Sequence, residues 1–272
     1  SAGHILTIGY IILESKTIEV TWSDGQVSDA AFVGYDYDTG FGLLRVIQAK
    51  DVAPMKLGKS SELKAGEPAL VAGHKGADSI LGVRVAARRE FTGYWEYLLE
   101  NAIYTIPHFQ NFAGAALIGS NGSLLGVGSI FTQINVPGVG TLPANMFVPI
   151  DLLKPILDDL KTTGRSRLPQ RPWLGMHTDE SHDRVFVIRI HPGGPAQKAD
   201  LQPGDLILKV NNQPVEGQAD FFRKVWALGT AGVKVPLSIL RGTKIQDIIL
   251  ESTDRYQYLK LRPEMGGKKE TL

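Results

Sequence analysis

Chemistry in this chain has to proceed without a thiol: there is no cysteine, which excludes thiolate catalysis, disulfides and Cys-ligated zinc. The remaining candidates are a few hydroxyls, imidazoles and backbone groups. Ser120 and Ser123 flank Asn121-Gly122, a pair suited to φ > 0, and they read as turn residues before they read as nucleophiles. His74 lies in Gly73-His74-Lys75-Gly76 and His108 stands apart; no two histidines keep a His-x-x-x-His spacing, so no metal is expected. The most pointed pattern is Leu174-Gly175-Met176. An apolar-Gly-apolar loop entering a strand leaves consecutive N–H groups free to converge on a C-terminal carboxylate, and the open strand edge can accept an extended peptide. On a following helix, Phe222, Val225 and Trp226 fall three and four apart, where they can face a common groove or equally form the core of a small domain.

A scaffold of 272 residues, with 43% hydrophobic residues, has the length of two domains that each bury a core. Lys+Arg 29 against Asp+Glu 28 offers no basic face for nucleic acid, and no apolar run reaches the ~18–20 residues of a membrane span, so a soluble globular protein is expected. Absence of cysteine does not identify the compartment, since an exported protein can avoid thiols. The chain opens inside a strand-like stretch, Ile5-Leu6-Thr7-Ile8, and shows no signal peptide, which suggests that upstream residues have been removed.

Residues 1 to about 150 read as short strands separated by turns, the pattern of a barrel or sandwich. Thr17–Trp22 alternates and runs into Ser23-Asp24-Gly25, Ala30–Tyr35 resumes an apolar run, and Ala115–Ile118 with Leu124–Gly128 form the clearest hairpin. A helix is expected from Asp151, carrying Leu152, Leu153, Ile156, Leu157 and Leu160 on one face and stopping at Gly164. Residues 165–172, basic and with two prolines, read as a linker. Beyond it come a strand Arg184–Ile190, a short helix after Pro195, a strand Leu206–Val210, a helix Gln218–Leu228, and strands Lys234–Leu240 and Ile245–Leu250. That is an α+β module over 173–254, followed by a loose tail over 255–272 with Gly266-Gly267-Lys268-Lys269.

Trp173-Leu174-Gly175-Met176, His191-Pro192-Gly193-Gly194-Pro195-Ala196 and Leu201-Gln202-Pro203-Gly204-Asp205-Leu206-Ile207 together resemble the PDZ domains of bacterial HtrA proteases. Asp200 departs from the family's usual Gly, but Asp tolerates a left-handed conformation. The upstream half resembles the HtrA protease domain, a trypsin-like double β-barrel. Val20–Gly25 is similar to V-T-L-S-D-G, Val33–Thr39 to V-G-x-D-P-x-T, Met55–Ser60 to L-x-L-G-x-S, and Arg171–Gly175 to the R-x-x-L-G junction. The resemblance implies a trypsin-like domain over 1–164, its N-terminal part truncated, followed by one PDZ domain.

By the same resemblance, Gly3–Ile12 lies where the family reads G-x-I-V-T-N-x-H-V-V, which places Tyr10 at the catalytic histidine; His4 is six residues early. Asp36–Leu44 lies on D-x-x-T-D-L-A-V-L and places Gly40 at the aspartate, and Asn111–Leu117 lies on G-N-S-G-G-P-L and places Ala113 at the serine. Acyl transfer needs a hydroxyl, a base and a carboxylate to orient that base. A phenol of pKa ~10, a glycine and a methyl group supply none of these. Asn111, followed by Phe112, also replaces the glycine of the oxyanion loop, where the backbone turn is easiest for Gly.

These residues imply a protein that is not an enzyme: an inactive HtrA-like pseudoprotease with an adaptor or regulatory role, binding C-terminal peptides or unfolded segments through Leu174, Gly175, Met176, Phe222, Val225 and Trp226. No cofactor is called for. Family resemblance implies a bacterial periplasmic location and a homotrimer or association with HtrA paralogues. Two alternatives stay open, an active serine-type endopeptidase with relocated catalytic groups and a structural subunit of HtrA hetero-oligomers.

Overall fold

The structure, a computed structural model, describes residues 3–48, 50–74 and 79–259. The chain forms two compact units: the first takes the chain through Glu90 together with Leu99–Ser166, and the second takes Phe91–Leu98 together with Arg167–Leu259.

The first unit is β-structure throughout. Strands β1 (His4–Ile8), β2 (Glu19–Thr21), β3 (Val27–Tyr35) and β4 (Phe41–Val46) make an open antiparallel sheet in the order β1-β4-β3-β2. Strands β5 (Pro68–Ala72), β6 (Ile80–Gly93), β7 (Tyr97–Ile106), β8 (Ala116–Ile118), β9 (Leu124–Val136) and β10 (Gly140–Pro149) close into a barrel. Alternation along the strands points Val71, Val83, Val85, Ile103, Leu117, Leu125 and Phe147 into one buried cluster inside it. The β8–β9 turn uses Gly122 at φ 75, as the Asn-Gly pair predicts.

The helix expected from Asp151 is interrupted. Ile150–Leu152 forms a single 3-10 turn, and α1 spans only Leu157–Thr163. Pro155 lacks an N–H and disfavours helical geometry in the residue before it, so the helix restarts beyond it. Gly164 ends α1 at φ 76, and its carbonyl accepts the Tyr35 N–H at 3.0 Å, docking the helix end on β3.

The second unit is an antiparallel sheet with two helices. Its strands are β11 (Met176–Ser181), β12 (Arg184–Ile190), β13 (Leu206–Val210), β14 (Gln213–Pro214), β15 (Lys234–Arg241) and β16 (Lys244–Glu251), with α2 (Pro195–Lys198) and α3 (Gln218–Trp226) between them. The order is β11-β12-β13-β15-β16, with β14 on β13, so β11 is an edge strand. Asp200 takes φ 57, and its carboxylate and carbonyl both accept from Arg241. The predicted tail after Tyr258 lies outside the described residues from 260 onward.

Candidate functional site

The loop ahead of β11 is shaped by where its carbonyls go. Trp173 pairs with Thr253 through both backbone groups, the Leu174 carbonyl accepts from Ala196 N at 2.8 Å, and the Gly175 carbonyl accepts from His191 N at 2.8 Å. With the carbonyls held on one side and Gly175 at φ 75, the N–H groups of Leu174, Gly175 and Met176 face the other way. All three donate to one carboxylate, that of Glu96: Leu174 N to Oε2 at 2.8 Å, and Gly175 N and Met176 N to Oε1 at 2.9 and 3.1 Å. The proposed carboxylate-binding loop thus holds a carboxylate from its own chain.

Glu96 is 7% exposed and sits at φ 58 in the turn between β6 and β7. Burial pushes its carboxyl up to about 7, against the opposing pull of the three N–H groups and of Arg255. The backbone beside it is also held. Thr178 N on β11 donates to the Tyr94 carbonyl at 2.9 Å, Arg255 Nη1 donates to the Trp95 carbonyl at 3.1 Å, and the Tyr94 ring lies 5.2 Å from that of His177. From α3, Gln218 Nε2 donates to Thr178 O and Oγ1 at 2.7 and 3.0 Å, fastening the helix to β11.

Phe222 and Val225 are each 1% exposed and share a buried cluster with Leu174, Met176 and Leu98. Trp226, half-buried, stacks on Phe222 at 5.6 Å and carries the Arg171 guanidinium 4.1 Å from its centroid. Glu96, Arg255, Gln218 and Leu98 were not foreseen from sequence. The only local signal for Glu96 was a carboxylate among aromatics, Tyr94-Trp95-Glu96-Tyr97, and nothing in that segment points to a loop 78 residues away.

In the first unit, the residues flanking Tyr10, Gly40 and Ala113 come together. Gly9 N donates to Gly40 O at 2.7 Å, and a Cβ on Gly114 would lie 2.6 Å from Thr7 Oγ1 and 3.5 Å from Ile11 Cδ1. Tyr10 lies in a 3-10 turn, is 51% exposed, and donates its hydroxyl to the Ser129 carbonyl at 2.6 Å; burial raises its pKa further. Gly40 is buried at φ 83, and Ala113 is exposed in a turn. After Asn111, the loop is folded on β9: Ala115 N donates to Phe112 O and Gly114 N to Gly128 O, each at 2.9 Å. The Gly114 N–H is therefore committed within the fold.

Ser123 is buried and donates to Asn121 Oδ1 at 2.6 Å, while Ser120 is exposed. His4 lies in β1 opposite Arg45; burial, with Lys161 and Arg45 nearby, lowers its pKa. His74 is exposed at the end of the described part of its loop, and His108 packs edge-on to Phe131 at 5.5 Å. Among the described residues, no three His, Asp or Glu side chains gather as a metal cluster.

Comparison with known proteins matches residues 1–127 to the trypsin-like peptidase domain and 172–251 to the PDZ domain. "Probable periplasmic serine endoprotease DegP-like" of Pseudomonas fluorescens is 30% identical over 263 residues, covering 91% of this chain and 53% of the relative. The "Periplasmic pH-dependent serine endoprotease DegQ" of Escherichia coli is 27% identical over 260 residues, 90% of this chain and 55% of the relative. The chain thus spans about half the length of the curated relatives it matches. Among solved structures, "HtrA-type protease AlgW with decapeptide" aligns with a TM-score of 0.59 at 22% identity, over 97% of this chain and 82% of that one. A serine endoprotease from Yersinia pestis aligns with a TM-score of 0.56 at 23% identity, over 93% and 85%. The expectation that the chain is not an enzyme is corrected here: its relatives are named serine endoproteases, and the comparison points to a protease.

Proposed function

We propose that this chain, which matches a trypsin-like peptidase domain followed by a PDZ domain and resembles periplasmic DegP-like serine endoproteases, captures the C-termini of peptides or unfolded protein segments in the bacterial periplasm. The observation that carries this reading is the convergence of the Leu174, Gly175 and Met176 N–H groups on a single carboxylate. A terminal carboxylate would accept the same charge-assisted bonds, its preceding residues would pair with the β11 edge, and an apolar last side chain would enter the cluster around Phe222 and Val225. Burying that side chain is worth ~1.5–3 kcal/mol, comparable to the carboxylate's bonds, so both ends of the contact matter.

The trypsin-like domain enters the proposal through Tyr10, Gly40 and Ala113, which take the positions of the family's histidine, aspartate and serine. The Tyr10 hydroxyl donates to the Ser129 carbonyl, and residues 40 and 113 carry no side-chain oxygen. Recognition by the PDZ loop stands beside whatever the trypsin-like domain does, in a regulatory role and with assembly as a trimer or beside HtrA paralogues. The test is titration of the full chain with labelled ten-residue peptides that end in an apolar residue, as free acids and as amides. Saturable binding of free acids with at least tenfold weaker binding of amides supports the reading; equal affinity for both overturns it.

A further inference from the structure

The carboxylate loop is already filled in a manner that resembles the expected ligand. Glu96 supplies both oxygens to the three N–H groups, and two residues before it the Tyr94 carbonyl accepts from Thr178 N on the β11 edge. Two residues after it, Leu98, 5% exposed, lies in the apolar cluster with Leu174, Met176, Phe222 and Val225. Carboxylate, strand-edge hydrogen bond and apolar plug are the three elements of C-terminal peptide recognition, and one eight-residue stretch of this chain, Phe91–Leu98, provides all of them.

We infer that Phe91–Leu98 is an internal ligand of the carboxylate loop, so that a peptide C-terminus binds only by displacing Glu96. This rests on the peptide-binding reading above and adds its regulation. The three N–H groups call for two acceptor oxygens, Oε1 and Oε2, which a carboxylate has and an amide or a hydroxyl does not, and the contact is made at the cost of removing a charge from water, felt in the raised carboxyl pKa. Two features make the contact reversible. Glu96 sits in the left-handed region, where a side-chain-bearing residue carries strain. The ring packing of Phe91, Tyr94, Trp95 and Tyr97, with centroids 4.8–6.2 Å apart, is largely internal to the stretch and can leave with it.

An occupied loop lowers apparent peptide affinity by the fraction of molecules in which it is open. The experiment compares the full chain with Glu96→Ala and Glu96→Gln, using labelled ten-residue free-acid peptides with an apolar last residue, their amides, and hydrogen exchange of the unaltered chain with and without peptide. The expected result is at least tenfold tighter binding of free acids by Glu96→Ala, a smaller gain for Glu96→Gln, and faster exchange at residues 94–97 of the unaltered chain when peptide is added. Free acids that bind the unaltered chain as tightly as the variants, with unchanged exchange at 94–97, overturn the internal ligand and leave peptide capture standing. Failure of every free acid to bind both the unaltered chain and a folded variant overturns peptide capture itself. Should Glu96→Ala and Glu96→Gln both fail to fold, the exchange measurement on the unaltered chain decides alone.

Discussion

Gly175 donates its N–H to Glu96 Oε1 at 2.9 Å, and both residues are in the left-handed region, Gly175 at φ 75 and Glu96 at φ 58. Only one of them is a glycine. The loop side of the contact is shaped without strain, whereas the residue that enters it is held by its partners.

Gly175→Ala therefore is expected to damage the loop. A Cβ there would lie 3.1 Å from Pro195 Cδ and 3.2 Å from the Trp173 ring, and alanine at this φ costs roughly 1–2 kcal/mol. Differential scanning calorimetry should show a lower Tm, and free-acid peptides should bind at least tenfold more weakly. An unchanged Tm and affinity would mean that the loop does not need its turn.

Peptide affinity is expected to depend on pH with a definite sign. The docked Glu96 carboxyl titrates at about 7 instead of the ordinary 4.5, chiefly because it is buried, so docking is favoured while the group is protonated and weakens as pH rises through that interval. An incoming terminal carboxylate, with pKa ~3.3–3.7, is ionised throughout. Free-acid affinity should rise about tenfold or more from pH 5 to pH 7.5 and then level off. The Arg255 guanidinium acts on Glu96 and favours its charged form. His177, packed on Tyr94, is held low by burial and by Arg189 and Arg255, and His191 packs on Trp173. Glu96→Gln separates these contributions: its affinity should change less than threefold over the same range, and a full tenfold rise would trace the dependence to the histidines.

Restoring a triad by side chain alone should fail. Tyr10→His removes the bond to Ser129, Gly40→Asp places a carboxylate at a buried φ of 83, and Ala113→Ser leaves Asn111 where the family's oxyanion loop has glycine. Oxyanion donors are worth ~10²–10³ in rate each, so casein hydrolysis by the triple variant should stay within a few fold of the unaltered chain. A rate rise of several orders of magnitude would show that the loop is competent and that only the side chains differ.

In the PDZ unit, Arg241 grips the 1% exposed Asp205 carboxylate through Nε at 2.7 Å and Nη2 at 2.8 Å. Burial pushes the Asp205 carboxyl up, and the Arg241 and Gln202 donors more than offset this, holding it below the usual range. Arg241→Leu should cost about 1.5–3 kcal/mol at neutral pH. The loss should shrink in acid, because a depressed carboxyl contributes stability above its unfolded value that disappears as pH falls through the folded one. Urea titrations at pH 7 and pH 3 check both parts, and equal losses at the two values would refute the coupling.

Much of the second unit was legible in the residues alone. Strands Arg184–Ile190 and Leu206–Val210 fall where the apolar runs and Gly-Pro punctuation put them, and α3 ends two residues before the expected Leu228. The N–H geometry of Leu174-Gly175-Met176 was also readable, because a glycine between two apolar residues limits the local backbone to few shapes. Strand β11 was foreseen only as the strand that the Leu174-Gly175-Met176 loop enters, without bounds, since Met176-His177-Thr178-Asp179-Glu180-Ser181 is mostly polar and is a strand because β12 pairs with it. The helix break at Pro155 was present in the sequence and outweighed there by the apolar periodicity around it.

The features written into the residues are therefore local: where the chain turns, which residues alternate, and that a loop of convergent N–H groups precedes Thr178. Long-range packing sets which carboxylate meets that loop, and that Phe91–Leu98 joins the second unit although β6 and β7 on either side belong mainly to the barrel. The reason is physical. Turn and strand preferences are set within a few residues by backbone sterics, whereas the partner of Glu96 lies 78–80 residues along the chain, brought within hydrogen-bond distance only by the packing of Leu98 and its neighbours.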